Sequence, residues 1–416
     1  MKILLWHGYL LGGTGSNVYT RSLARAWAKL GHDVVVLCQE PHPDAYELAG
    51  ATVVRPRLAG PLPVFVLDRY EDLEARYLHE LTAAERDDFV ARNAAAVREH
   101  LPADYVLVNH VLLGAPVGAA SGARFAVKAH GSELEFSIRG RPALAAWARR
   151  SLEAAEEVVV GSEHIRAVLA DVVGWSERVR VVPPGVDVDE LRPERREEAL
   201  ERLLAEARRD GEPASERDPD AGNAARLERF FAEERRTVVY VGKLSAEKGL
   251  ALLLEAMVGI DARLVVVGFG PARGELEEGA HGLDVLFTGP LEHRHLAHLW
   301  PLADVSVTPS VFPEAFGMVA AEAAACGCPP LVARHSGLAE VAAGLEAEYP
   351  PELAELAGFA AGDAGDLAAK LGAILALPAD EWRLLSAAAR RAAVERWSWE
   401  HVAALLLSAP WVTPSD

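Results

Sequence analysis

Three cysteines in 416 residues are too few for a disulfide framework. Cys38 ends an apolar run, and Cys326 and Cys328 form a C-x-C with no second pair, so zinc is not indicated either. All three read as buried free thiols. Positive charge is also scarce. The 42 Lys and Arg residues face 61 Asp and Glu, for a formal charge of −19. So acidic a chain argues against nucleic acid as a main partner, because phosphate backbones recruit basic surfaces. It also disfavours broad adhesion to anionic lipid. Apolar runs such as DVVVLC and RLVVVGFG are far too short to cross a bilayer. The opening MKILLWHGYL lacks the long apolar core and cleavage site of a signal peptide and reads as a strand, so a cytoplasmic location is expected. Lysine is nearly missing: Lys2, Lys29, Lys128, Lys243, Lys248 and Lys370 are all there are. Two of them fall in one short stretch between glycines.

What is present is ordinary for a globular chain: half the residues are hydrophobic and a quarter charged. The length allows two or three domains with real cores. KILLWHG and GHDVVVLC read as strands, and NVYTRSLARAWAKL between them has apolar residues at helical spacing. DYVLVNH, ARFAVKAHG and EEVVVGS continue the alternation. The expectation is α/β, an open and mostly parallel sheet covered on both faces. VRVVPPGVDVDELRP breaks the pattern, with Pro183, Pro184 and Gly185 as a natural hinge. The rhythm restarts at TVVYVGKL, ARLVVVGFG, DVLFTGP, ADVSVTPS and PPLVAR. This places a first domain at 1–184, completed by a C-terminal helix at 398–416, and a second at 185–397. The Arg- and Glu-dense segment 191–236 is expected as a charged, largely exposed helical insertion. A last helix is expected over roughly 379–407, interrupted near RWSWEHVA. Ligands in such sheets bind at the carboxyl ends of the strands, so one site between the two halves is expected.

Three stretches can carry chemistry. GGTGSN (12–17) follows a strand and opens a helix, so its amides can meet a phosphate. It fails as a dinucleotide fingerprint, because the third small residue would be at Val18; a tight turn without ligand is the plainer reading. GKLSAEKG (242–249) puts Lys243 and Lys248 across a turn, where both could reach one anion. It is not a Walker A loop, and two solvated lysines are the bland alternative. PEAFGMVAAEAAACG (313–327) carries Glu314 and Glu322. Eight helical steps would leave them roughly 80° apart, not on one face. Gly317 lets the chain turn, Glu314 falls in the loop before the helix, and Glu322 falls in its second turn. The amides of residues 316–319 are then open donors flanked by two carboxylates. A diol-bearing nucleotide sugar needs that set.

The order GGTGSN, HGSE, GSEHI, PPGVD, GKLSAEKG, GFGP, PEAFGMVAAEAAACG and RWSWEHVA resembles family 4 of the retaining glycosyltransferases, over nearly the whole chain. The resemblance implies the GT-B fold, two Rossmann-like doubly wound domains facing across a cleft. It implies transfer of a hexosyl unit from a UDP- or GDP-linked sugar to a hydroxyl acceptor, with retention and without a required metal or cofactor. The acceptor would be a small molecule, a glycan or a lipid-linked group, held by the N-terminal half. By position, Glu322 should bind the ribose hydroxyls. Glu314 and the amides of Phe316, Gly317 and Met318, with Val319 beside them, should hold the donor sugar. Lys243 and Lys248 should neutralise the diphosphate, which Gly13 approaches from the N-terminal half. His130 of HGSE should sit near the reacting carbon. His130, Lys248 and Glu314 are thus the catalytic candidates. The family more often has arginine at the Lys243 position, and Asp or Thr where this chain has Ser132 and Glu133. The implied mechanism is front-face substitution, in which the leaving diphosphate can take the acceptor proton. Alternatives are a phosphorolytic or hydrolytic enzyme of the same fold, a nucleotide-sugar-binding protein without turnover, and a nicotinamide oxidoreductase. The D-x-D at Asp187 and Asp189 belongs to a turn, not to a metal site. The arginine-rich stretch 139–150 could make a peripheral membrane contact at most, and a charged solvent-facing helix is its simpler reading.

Overall fold

The computed structural model describes residues 1–65 and 73–412. The chain divides into two compact units, Met1–Gly185 with Trp399–Asp416, and Val186–Ser398.

The first unit is built on β1 (Lys2–Trp6), β2 (Asp33–Leu37), β3 (Thr52–Val54), β6 (Tyr105–Asn109), β7 (Ala126–Lys128), β8 (Glu157–Val160) and β9 (Val179–Val181). Two short strands, β4 (Leu62–Val64) and β5 (Ala75–Tyr77), pair apart from it. The main sheet runs β3-β2-β1-β6-β7-β8-β9, all parallel. Alternate residues point to opposite faces. Leu4, Trp6, Val35 and Leu37 enter one core, and Ile3, Leu5, Val34 and Val36 enter the other. With both faces covered, these strands read as unbroken apolar runs.

The helix Trp399–Leu407 belongs to the second of those cores through Trp399, Val402, Ala403 and Leu406. Trp27 Nε1 donates to the Ala403 carbonyl at 3.1 Å. Arg180, paired with Glu157 at 2.7 Å, donates to the carbonyls of Leu405 and Leu406 that end the helix. The final helical stretch is interrupted within RWSWEHVA, as expected, into Ala379–Trp397 and Trp399–Leu407, with Ser398 between them in an extended conformation. Gly185 lies so close to Trp399 that a Cβ would fall 2.4 Å from the ring. Gly185→Ala is therefore expected to cost about 1–3 kcal/mol by overpacking. Thermal unfolding should show a melting temperature lower by about 2–6 °C.

The second unit holds β10 (Thr237–Val241), β11 (Arg263–Val267), β12 (Val285–Phe287), β13 (Val305–Thr308), β14 (Pro330–Ala333) and β15 (Gly358–Phe359). Their order is β12-β11-β10-β13-β14-β15, again parallel. Two doubly wound Rossmann-like sheets are thus present, as the alternation implied.

The segment 191–236 is largely exposed, and it also carries a buried apolar stripe that its composition did not suggest. Its helices Arg196–Ala207 and Asn223–Phe230 send Ala199, Leu203, Leu204, Ala207 and Leu227 into the core of the second unit, followed by Phe231. The apolar stripe is narrow and surrounded by charge, so composition conceals it. Its polar residues are tied down as well. Arg294 pairs with Glu206 at 2.8 Å and Asp210 at 2.6 Å, and Arg226 donates to the Phe287 carbonyl at 2.6 Å.

Candidate active site

Strand order marks one place in each sheet where a ligand is expected, the point at which the chain's winding reverses. In the second unit β10 lies between β11 and β13, so the turns leaving β10 and β13 meet there. The first of these is GKLSAEKG. Its Ala246–Lys248 segment is a single 3-10 turn, and Gly249 follows at φ +70. A Cβ on Gly249 would stand 1.9 Å from the Pro309 carbonyl oxygen. Only glycine permits both the left-handed backbone and this approach of the two turns. The Glu247 carbonyl then accepts the amides of Val311 and Phe312, at 2.9 and 3.2 Å.

This contact brings Lys248 onto Glu314 as an ion pair. The lysine is about one-third exposed and the glutamate about one-fifth. The loop carrying Glu314 is clamped from behind. His335 Nε2 donates to the Ser310 carbonyl at 2.6 Å, which leaves Nδ1 to accept from the Ser336 hydroxyl at 3.0 Å. The same hydroxyl oxygen accepts the Glu314 amide at 2.9 Å. Sequence reading did not find this clamp, and nothing local signals it.

Gly317, at φ +127, turns the chain into the helix Met318–Ala325. A Cβ there would also lie 2.6 Å from Leu338 Cδ2. No side chain caps the helix, so the amides of Met318 and Val319 remain available as donors. Phe316 buries its ring against Trp397 at 6.0 Å, which leaves its backbone as the part able to serve a ligand. Glu322 sits in the second turn among buried alanines, with 9% of its surface exposed. His293 reaches its carboxylate at 3.3 Å from the start of the helix His293–Leu299. His293 lies 29 residues away in sequence, and its spacing gave no hint of this role. Lys243 is exposed, and among the described residues its ammonium makes no ion pair. The lysines expected to act together therefore differ: one is held by a carboxylate, and the other stands in solvent.

In the first unit the reversal lies between β1 and β6. Gly13 is exposed in the turn after β1, at φ +89, with nothing within 4 Å of a Cβ position. The helix Gly15–Lys29 behind it has no side-chain cap. His130 follows β7 and is half-buried. Its Nε2 meets Asn109 Oδ1 at 2.8 Å, and its ring packs on His110 at 4.7 Å and Tyr19 at 5.6 Å. His7 stacks on His110 at 5.6 Å. Burial holds all three imidazoles below their ordinary pKa, His7 at about 4 and the other two well below 6.5. Lys128 is buried too, with Nζ 3.2 Å from the Val182 carbonyl and 5.0 Å from the Tyr19 ring centre, and burial brings its pKa down to about 7. None of this cluster except His130 stood out in the sequence, because a lone histidine or lysine carries no spacing signal.

The remaining candidates make contacts within the chain, most of them local. Asp187 Oδ1 accepts the amides of Asp189 and Glu190 at 3.1 and 3.0 Å, so the D-x-D carboxylate serves its own turn. In the arginine-rich stretch, Arg139 pairs with Glu135 and with Asp171, and Arg141 donates to the carbonyls of Phe136 and Ser137. Among the described residues no helix is long and apolar enough to cross a membrane.

Residues 13–190 match the family described as Glycosyltransferase Family 4, and residues 224–383 match Glycosyl transferases group 1. A D-inositol 3-phosphate glycosyltransferase of Geodermatophilus obscurus is 30% identical over an alignment covering 95% of this chain and 84% of that protein. A GDP-mannose-dependent alpha-(1-6)-phosphatidylinositol dimannoside mannosyltransferase of Mycobacterium tuberculosis is 42% identical over 126 residues, which span 28% of this chain and 32% of that protein. Among solved structures, Anabaena HepE in complex with UDP covers 98% of this chain and of its own, at TM-score 0.67 and 16% identity. The sucrose-phosphate synthase of Thermosynechococcus elongatus covers 97% of each chain, at TM-score 0.65 and 24% identity. The matched segments contain Gly13, the GKLSAEKG turn, the glutamate loop and the whole sheet of the second unit. The chain belongs to glycosyltransferase family 4 and has the GT-B fold.

Proposed function

We propose that this chain is a retaining glycosyltransferase that moves a hexosyl unit from a UDP- or GDP-linked sugar to a hydroxyl of its acceptor. The observation that carries this reading is the Lys248–Glu314 pair, set at the winding reversal beside an uncapped helix start, with Glu322 in the next turn. Lys248 supplies charge for the diphosphate, assisted by exposed Lys243. Glu314 and the amides of Phe316, Gly317, Met318 and Val319 hold the donor sugar. Glu322 takes the ribose hydroxyls. Gly13 and His130 serve the diphosphate and the donor sugar from the N-terminal unit, which binds the acceptor.

The diphosphate leaves and the acceptor hydroxyl attacks the anomeric carbon from the same face. The departing oxygen takes the acceptor proton, so the protein acts through positioning and charge. No protein-held metal is part of this scheme, and the engagement of Asp187 in its own turn is in keeping with that. The named relatives suggest GDP-mannose among donors and cyclitol phosphates or phosphoinositides among acceptors as the first compounds to try.

The test is calorimetric binding of UDP, GDP, ADP, dTDP and NAD to the purified chain without added metal. One nucleoside diphosphate should bind selectively. Glu322→Gln should weaken it about 10- to 100-fold, the loss of a charge-assisted hydrogen-bond pair. Binding of NAD alone, or undiminished nucleotide affinity in Glu322→Gln, would count against the assignment.

A further inference from the structure

The polar cluster of the N-terminal unit contains more than the role of His130 uses. Asn109 directs its amide nitrogen to the Trp6 carbonyl at 3.3 Å and the Thr20 hydroxyl at 3.4 Å. Its Oδ1 therefore faces the imidazole, and an amide oxygen can only accept. The His130 proton must lie on Nε2. Nδ1 keeps its lone pair, and no described protein group donates to it.

Glu133 acts on the other end of the same residue. Its Oε1 accepts the amides of His130 at 3.1 Å and Val111 at 2.9 Å, and its Oε2 accepts the amide of Leu112 at 3.2 Å. One carboxylate thus ties the turn after β7 to the turn after β6. It does so with no solvent exposure at all. A fully buried carboxylate is costly to ionise, and burial pushes Glu133 up to about 7 despite its three amide donors. Such a group is an expensive way to join two turns unless the placement of what they carry matters. What they carry is His130, together with His110, whose Nδ1 stands 3.8 Å from Glu133.

We propose that Asn109 and Glu133 are positioning residues that present His130 Nδ1 as a neutral hydrogen-bond acceptor for a substrate hydroxyl. Asn109 selects the tautomer and the ring plane; Glu133 fixes the backbone beneath it. This inference rests on the placement of His130 at the donor sugar. The groups facing the imidazole are His7, Tyr19, His110, Lys128 and Glu133. Burial first, then the neighbouring basic groups Lys128 and His7, disfavour a charge on the ring and keep it unprotonated.

Two variants and one spectroscopic measurement test this. Nitrogen NMR of His130, assigned with His130→Ala, should show the Nε2–H tautomer, still unprotonated at about pH 6.5, where a free imidazole is half charged. Asn109→Asp sets a carboxylate against Nε2–H and should raise the imidazole pKa. The transfer rate of that variant should then fall toward acid pH, while nucleoside diphosphate affinity stays within about twofold. Glu133→Gln exchanges one acceptor oxygen for a donor and should lower kcat about tenfold, with donor KM within about twofold. An Nδ1–H tautomer in the wild type would overturn the inference. So would wild-type pH dependence in Asn109→Asp combined with wild-type kcat in Glu133→Gln, provided His130→Ala is inactive. Wild-type turnover by His130→Ala would overturn the placement of His130 itself, and this inference with it.

Discussion

Lys248→Ala is expected to lower kcat about 1,000-fold at saturating donor, a loss of roughly 4 kcal/mol in transition-state stabilisation. Charge grows on the diphosphate as the glycosidic bond breaks, so a cation held against it acts more strongly on the transition state than on the ground state. Lys248 is suited to this because Glu314 fixes its ammonium. The substitution does double harm. It removes the cation, and it leaves the Glu314 carboxylate unpaired beside an anion. Lys248→Arg should recover part of the loss, though a planar fork does not reproduce a point charge. Exposed Lys243 should behave differently, with Lys243→Ala costing about tenfold and mostly in donor KM. Steady-state kinetics of the three variants separate the two lysines. Wild-type kcat in Lys248→Ala would remove the charge role from the mechanism.

The second large effect is acid lability of the N-terminal unit. His7, His110 and His130 have folded-state pKa values below the unfolded value of 6.5, chiefly through burial. A base whose pKa is depressed by folding contributes fully above 6.5 and loses that contribution as pH falls toward the folded value. His7, at about 4 when folded, accounts for roughly 3 kcal/mol over that window. Glu133 works in the opposite sense. Its pKa is raised to about 7, so its penalty builds between about 4.5 and 7 and vanishes in acid. Lys128, lowered to about 7, changes the balance only above that pH. Three histidines against one carboxylate leave a net loss on acidification. Urea unfolding from pH 7.5 to 4.5 should show the N-terminal unit weakening as pH falls. His110→Asn, which suits the residue's φ of +74, should flatten that slope. A slope unchanged by this substitution would show that the cluster is not its source.

Some of this molecule was legible without any coordinates. The runs KILLWHG and TVVYVGKL are strands because apolar residues recur with no polar face, as a strand covered on both sides requires. The helix after Gly317 was legible because a glycine and a run of small residues are local signals. The exposed, charged character of 191–236 was legible for the same kind of reason, and its buried stripe was not. Its charge density is local and visible, whereas the stripe from Ala199 to Ala207 acquires meaning only against a partner surface.

The two carboxylates of PEAFGMVAAEAAACG show where the boundary lies. Sequence alone determined that Glu314 and Glu322 occupy different settings, one in a loop and one in a helix, because 3.6-residue periodicity and the glycine before the helix are properties of neighbouring residues. It determined the α/β alternation and the family resemblance for the same reason. Only the tertiary structure decided that Lys248 would meet Glu314, that His293 would meet Glu322, and that three histidines would gather around Asn109 and Glu133. Those meetings depend on which strands lie side by side. Strand order follows from how whole faces bury against one another, and no periodicity along the chain records it.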